Sequence, residues 1–265
     1  MEQITAMTSA DWCLSNGISS ITVSELSDML GKLIKNTRLT LNRLSKRGQW
    51  LNLGKGLWAP VPAEYRLQKT LPAPDIVAEI MNYRKLPYYI GWLSAASFHG
   101  AHHNAPQVYQ IATNKEIRKQ KIGTHSFKFY TREHVERLPK SAFRVRSGNA
   151  MYSSKEVTLL DVATDVNMCG GINNVGNVIV ELTERNVDYV ALMEILDYYP
   201  ATSLKRIGYT LDKFGYTRTH ARVSKRLHRE IDADSASVLV PGNERTGKFN
   251  KKWGIIINEN MELDI

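Results

Sequence analysis

The sequence predicts an α+β protein, and three observations carry that expectation. The first sixty residues hold three amphipathic helical segments, then two short apolar runs around a glycine-flanked lysine. Four prolines, Pro60, Pro62, Pro72 and Pro74, punctuate the next stretch as they would a connector. Beyond them, segments of period two alternate with segments of helical period, the pattern of a larger domain with a mixed sheet. The expected division is residues 1–62 and residues 63–265, with 63–75 as the connector.

Residues 3–16 read as a first helix closing at Gly17. Thr22-Val-Ser-Glu25 has the Thr-x-x-Glu spacing of a capping box, in which hydroxyl and carboxylate each satisfy the other residue's backbone N–H. It opens a second helix with Val23, Leu26, Met29 and Leu30 on one face, ended by Gly31. A basic turn through Lys32 and Lys35 leads to a third helix from about Asn36 to Arg47. Leu41 and Leu44 continue an apolar stripe from Ile34. Lys35, Leu39, Asn42 and Lys46 recur at helical spacing on the opposite, outward face, flanked by Arg38 and Arg43. Strands at 50–53 and 57–59 then make a hairpin whose tip is Gly54-Lys55-Gly56.

Helix, helix, basic helix and two-stranded wing is the order of an N-terminal winged helix-turn-helix. In that arrangement the third helix enters the major groove of double-stranded DNA. Arg38, Asn42 and Arg43 are the candidates for reading base edges, and Lys35, Lys46 and Lys55 for holding phosphates. Winged helices also serve as protein–protein modules. Charge favours DNA: residues 31–55 carry seven Lys/Arg and no acid.

In the larger domain, Asp75–Arg84 and Tyr88–His99 read as helices, and Gln107–Thr113 and Thr124–Tyr130 as strands. A Ser153-Ser-Lys-Glu156 box opens a helix that runs to about Asn167. Helices are expected near 173–185, 187–199, 203–214 and 217–230, and closing strands at Ser237–Val240 and Trp253–Ile257. No internal repeat or low-complexity tract interrupts the pattern.

The bulk properties of the 265 residues agree with a soluble polyanion binder. Hydrophobic residues make up 43%, charged residues 23%, and the formal net charge is +9. The charge is segregated. Residues 115–155 carry eleven basic against three acidic groups, 156–203 one against eight, and 205–229 eight against one. Blocks of this size suggest a second DNA-backbone face on the 217–230 helix, through Arg218, Arg222, Lys225 and Arg229. No apolar run approaches the roughly 20 residues that cross a bilayer, so no membrane is expected as partner. The N-terminus has neither the basic nor the apolar region of an export signal. Cys13 and Cys169 lack CxxC spacing and read as reduced and buried, which suits the cytoplasm.

Several motifs raise the question of catalysis. In Ser94-Ala-Ala-Ser-Phe-His-Gly-Ala-His-His103, His99 and His103 have the i, i+4 spacing of zinc ligands, but no carboxylate accompanies them. Neither Ser94 nor Ser97 stands in a GxSxG elbow. Gly242-Asn-Glu-Arg-Thr-Gly-Lys248 has Walker spacing, yet Phe249 occupies the magnesium-binding position and a strand is expected to follow. Asp232-Ala-Asp234 lacks an upstream Gly-Ser partner, and Asp161, Asp165 and Glu181 lack a lysine at catalytic spacing. The expectation is a non-enzymatic protein with no catalytic residue, metal or cofactor. A ligand-responsive winged-helix regulator and a nucleic-acid enzyme are the alternatives.

The run Tyr88-Tyr-Ile-Gly-Trp-Leu-Ser-Ala-Ala-Ser-Phe-His-Gly-Ala-His-His-Asn-Ala-Pro-Gln-Val-Tyr-Gln-Ile111 resembles the central signature of AbiEi-type antitoxins. Leu44-Ser-Lys-Arg-Gly-Gln-Trp-Leu51 with Gly54-Lys-Gly-Leu-Trp-Ala59 is similar to that family's winged-helix region. Leu204-Lys-Arg-Ile-Gly-Tyr-Thr-Leu-Asp-Lys-Phe-Gly215 and Lys252-Trp-Gly-Ile-Ile-Ile-Asn258 fit its C-terminal domain. The resemblance implies the antitoxin and autorepressor of a type IV toxin–antitoxin system. Its N-terminal domain would bind inverted repeats in its own promoter, and its C-terminal domain would counter a nucleotidyltransferase-like toxin.

Overall fold

A computed structural model describes residues 4–31, 36–102, 107–185 and 187–264. The fold is mixed α+β, and the chain divides into two units: residues 1–88, 107–133 and 142–151 in one, the remainder in the other.

The first unit opens with α1 (Ser9–Ser15), β1 (Ile21–Thr22), α2 (Val23–Leu30), α3 (Thr37–Lys46), β2 (Trp50–Gly54) and β3 (Leu57–Pro60). These strands form an antiparallel sheet in the order β1-β3-β2. The first helix is shorter than the expected 3–16, and β1, too short to leave a periodic signal, is found by its pairing of Ile21 with Trp58. Residues 60–75 are packed rather than extended. Val61 and Leu71 are fully buried, and Arg66 pairs with Asp11 while its Nε donates to the Val61 carbonyl. The buried helix α4 (Ala73–Arg84) follows.

The same unit holds β5 (Val108–Thr113), β6 (Gln120–Ile122) and β7 (His125–Thr131), with β5 parallel and β6 antiparallel to β7. The β6–β7 turn needs a glycine. Gly123 has φ +56, and a Cβ there would lie 2.1 Å from the Thr70 hydroxyl. β8 (Lys140–Val145) and β9 (Gly148–Ser153) form a hairpin whose residues 142–151 belong to this unit.

Tyr88–His99 is not one helix. Tyr88–Ile90 is a strand, β4, whose Ile90 pairs with Tyr152 of β9. The aromatic and β-branched run favours extension, and Gly91 breaks it where a Cβ would press 2.8 Å from the Tyr89 ring. Trp92 then takes φ +50 and starts α5 (Trp92–Phe98), with its indole N–H donating to Asp165 at 2.9 Å. Ser94, Ala95 and Ala96 are buried, so the small residues of this segment serve close packing.

The rest of the second unit is α6 (Lys155–Thr164), α7 (Ile172–Glu184), α8 (Tyr189–Glu194), α9 (Ala201–Phe214) and α10 (Arg218–Leu227). A small sheet of order β10-β12-β11 joins Ser237–Val238, Ile255–Ile257 and Lys248–Asn250. Ser154, not Ser153, caps α6, accepting from the Val157 N–H, while Glu156 accepts from the Asp188 N–H. The expected 187–199 helix ends at Glu194 and continues as a 3-10 turn, because Pro200 disfavours helical geometry at Tyr199. At the centre of α9, Gly208 admits the buried ring of Trp253. A Cβ there would fall 2.0 Å from the indole.

Two predictions follow from this packing. Gly208→Ala should cost roughly 1–3 kcal/mol or more, since neither helix backbone nor indole can retreat, and a drop in the urea midpoint at unchanged slope checks it. Histidines give the second. His99 donates from Nε2 to the Ser153 carbonyl at 2.8 Å and His125 to the Leu71 carbonyl at 3.1 Å. Burial holds both below the ordinary value of 6.5. Their neutral forms therefore contribute stability that is fully present above that value and is lost as the pH falls below it. The unfolding free energy should decline between about pH 7 and about pH 5, and His99→Gln should flatten the slope while keeping the donor.

Candidate nucleic-acid interface

The N-terminal elements close on a core of Leu26, Leu30, Leu41, Leu44, Trp50 and Trp58 with parts of α1. The capping box that opens α2 is formed as its spacing predicts: the Thr22 hydroxyl accepts from the Glu25 N–H at 3.2 Å, and the Glu25 carboxylate accepts from the Thr22 N–H at 2.7 Å. Those bonds from Thr22 also hold the Glu25 carboxyl below its usual range. Asn36 caps α3, accepting from the Leu39 N–H at 3.0 Å. With Thr37, Leu41 and Leu44 turned into the core, helical geometry leaves Arg38, Leu39, Asn42, Arg43 and Lys46 exposed. Lys32, Ile34 and Lys35 lie outside the described residues.

The hairpin of β2 and β3 turns through Lys55 at φ 50 and Gly56 at φ 82, the left-handed pair of a two-residue turn that matches strand twist. Asn52 fixes its approach, accepting from the Gly54 N–H at 2.8 Å across a bulge. A groove of about 420 Å³ between α3 and the hairpin is lined by Arg38, Asn42, Asn52, Lys55 and Trp58, with Gly54 and Gly56. Three expected site residues, Arg38, Asn42 and Lys55, thus come together. Arg43 and Lys46 are exposed on α3 but do not line the groove. Asn52 was not among the expected residues; its signal is a single exposed position in the otherwise buried 50–53 run. Among the described residues no carboxylate lines the groove, so it presents positive charge and amide hydrogen-bonding groups.

In the second unit, Arg218, Arg222, Lys225 and Arg229 are all exposed, the first three on α10. The Arg222 guanidinium lies 4.6 Å from the Tyr189 ring. His220 fastens the helix beneath them. Its Nε2 donates to the Val180 carbonyl at 3.0 Å, and its Nδ1 accepts from the Tyr216 and Thr217 N–H groups. The basic 205–229 block is not all surface. Lys205 is 1% exposed and donates to the Ser235 carbonyl. Arg206 is 4% exposed and gives its protons to the carbonyls of Leu239, Ala163 and Val238. Burial pulls it down to about 10, against the opposing charge of Asp165.

The other motifs resolve into framework roles. His99 bonds Ser153 as above, and His103 lies outside the described residues. Asp161 accepts from the Tyr199 hydroxyl at 2.8 Å, and Asp165 accepts from Trp92. Asp232 accepts from the Asp234 N–H, a local turn. The Walker-spaced segment leads into strand β11, not a helix, so no helix N-terminus faces it. Among the described residues no group of three His, Cys, Asp or Glu could hold a metal ion. Both cysteines are buried and free, and burial raises the Cys13 thiol to about 11. No described helix is long and apolar enough to cross a membrane.

The fold is similar to that of the crystal structure of the RV2827C protein from Mycobacterium tuberculosis, with a TM-score of 0.66 over 95% of this chain and 91% of that one. At 14% identity the likeness is one of fold alone. No curated protein matches the sequence. Residues 89–213 match the family model of the AbiEi antitoxin C-terminal domain. That span begins in β4 and ends within α9, so it covers the α5 segment and the α6–α9 framework. Residues 89–213 of the chain thus carry an AbiEi antitoxin C-terminal domain.

Proposed function

We propose that this chain is an AbiEi-type antitoxin and also a DNA-binding autorepressor, with residues 1–62 as a winged helix-turn-helix module and residues 63–265 as the antitoxin domain. The observation that carries the reading is the groove between α3 and the β2–β3 hairpin, where Arg38, Asn42, Asn52 and Lys55 converge without an opposing acid. Asn and Arg at that place on a groove-entering helix pair with base edges, and a lysine at the hairpin tip meets a phosphate. Leu39, 53% exposed on the same helix, offers an apolar contact for a thymine methyl. Arg43 extends the base readout along the same helix, Lys46 and Lys35 extend the backbone contacts, and the exposed stripe Arg218, Arg222, Lys225 and Arg229 supplies a second phosphate-binding face. The operator would be inverted repeats in the chain's own promoter, and the toxin a nucleotidyltransferase-like enzyme acting in the same cytoplasm. No step in this function requires the chain itself to catalyse a reaction.

If about six to eight phosphates are neutralised, the logarithm of operator affinity should fall with that of salt at a slope of about −5 to −7. Asn42→Ala or Arg38→Ala should cost about 1–3 kcal/mol and relax specificity at one base position, whereas Lys55→Ala should weaken all sequences alike and make the slope shallower by about one. Gel-shift titrations against operator and scrambled duplexes distinguish these outcomes. A combined Arg38→Ala/Asn42→Ala chain, co-expressed with the toxin, should lose promoter repression yet still rescue growth. Surface substitutions suit this test better than deletion of residues 1–62, because the first unit extends through residues 63–88, 107–133 and 142–151.

A further inference from the structure

Between α9 and the β11–β12 hairpin of the second unit lies an open cup of about 550 Å³, within the range of small-ligand sites. Four lysines line it: Lys213, Lys248, Lys251 and Lys252. One carboxylate, Asp212, also lines it, but that group is already committed. Asp212 accepts from the Ser224 hydroxyl and from the Trp253 indole N–H at 2.8 Å, and it pairs with Lys252. Lys213 donates to the Met261 carbonyl at 3.1 Å and lies 4.7 Å from the Phe214 ring. Lys248 and Lys251 are exposed and have no ion-pair partner among the described residues. Beside them Phe249 leaves 43% of its surface in water.

This arrangement is held in place before any ligand arrives. Asn250 accepts from the Trp253 N–H at 3.1 Å and closes the turn that carries Lys251 and Lys252. Gly247, at φ +141, and Gly254, at φ +57, allow backbone approaches that a Cβ would block at 2.1 and 2.2 Å. Trp253 is anchored below by the space Gly208 leaves for it. The hairpin thus presents two ammonium groups unpaired among the described residues and one half-exposed aromatic ring over a concave floor, so little ordering entropy opposes binding.

We propose that this cup binds a phosphorylated nucleotide, with its phosphates on Lys248 and Lys251 and its base stacked on Phe249. Lysines alone would serve any anion; the ring beside them selects a ligand with a planar face, as in sites that combine cationic grooves with stacking platforms. Duplex DNA can use the lysines but keeps its own bases stacked inside and cannot use Phe249. The nucleotide could arrive free as a nucleoside triphosphate or as part of a single-stranded RNA, which share this chemistry. The proposal is independent of operator binding in the first unit.

The test is displacement of a fluorescent ATP analogue from the full-length chain by ATP, by inorganic tripolyphosphate and by a short oligo(A) RNA. ATP should displace it more effectively than tripolyphosphate. RNA competing at much lower concentration than ATP would identify the strand as the source, and competition no better than ATP's the free nucleotide. Lys248→Gln with Lys251→Gln should weaken ATP binding by about tenfold or more, and Lys248→Arg with Lys251→Arg should retain it. Phe249→Ser should weaken ATP but leave tripolyphosphate affinity unchanged. All three positions substituted lie on the surface, and coincident thermal melts verify the fold. The proposal is overturned if neither ATP nor RNA binds below about 1 mM, if Phe249→Ser is without effect, or if the lysine variants alter only duplex DNA binding.

Discussion

The guanidinium of Arg206 is the group on which the second unit depends. It reaches from the middle of α9 to the Ala163 carbonyl in the last turn of α6 and to the Val238 and Leu239 carbonyls at β10. A buried cation without such partners would be costly, and its removal would leave three carbonyls without a donor. Because α9 is held in this way, Gly208 is fixed where Trp253 can enter, and Trp253 in turn holds Asp212, which holds Lys252. One buried charge thus determines where the β11–β12 hairpin presents its lysines.

The same distinction between buried and exposed charge organises the whole chain. A net charge of +9 does not separate cations that bind a partner from cations that hold the fold. Lys205 and Arg206 give their protons to backbone carbonyls, whereas the cations of α3, the wing turn and the outer face of α10 remain in water. The acidic block divides in the same way. Asp161, Asp165 and Glu156 accept from Tyr199, Trp92 and the Asp188 N–H, so the negative charge between 156 and 203 is in part internal framework. Electrostatic attraction for a polyanion comes only from groups that keep their solvent exposure.

Local chemistry decides what was legible in the sequence. The Thr22–Glu25 box, the outward face of α3 and the glycine-flanked turn at Lys55 are set by neighbours within four residues, and each appears where its spacing puts it. The elements missed depend on distant partners. β1 exists because Ile21 meets Trp58, and β4, though its aromatic and β-branched run favours extension, is fixed in the sheet by Ile90 meeting Tyr152, a pairing its neighbours do not announce. The serine box at 153–156 misleads because two adjacent serines offer the same hydroxyl, and Glu156 is drawn to Asp188 instead. Within the candidate groove, Asn52 escapes notice because its role comes from cross-strand geometry rather than helical spacing.

That contrast bears on how such a chain can change in evolution. The likeness to the mycobacterial structure holds at 14% identity, so most side chains can differ while the backbone path stays. Positions that resist exchange are those whose space or hydrogen bonds are dictated by backbone: Gly123 against Thr70, Gly208 against Trp253, Arg206 against three carbonyls. Arg38, Asn42, Lys248 and Phe249 are exposed, and no buried hydrogen bond to a backbone carbonyl fixes them as it fixes Arg206. Substituting them costs the fold little, so only a ligand could hold them constant. Surfaces of this kind are free to follow a changing operator or ligand while the buried charges keep the scaffold fixed.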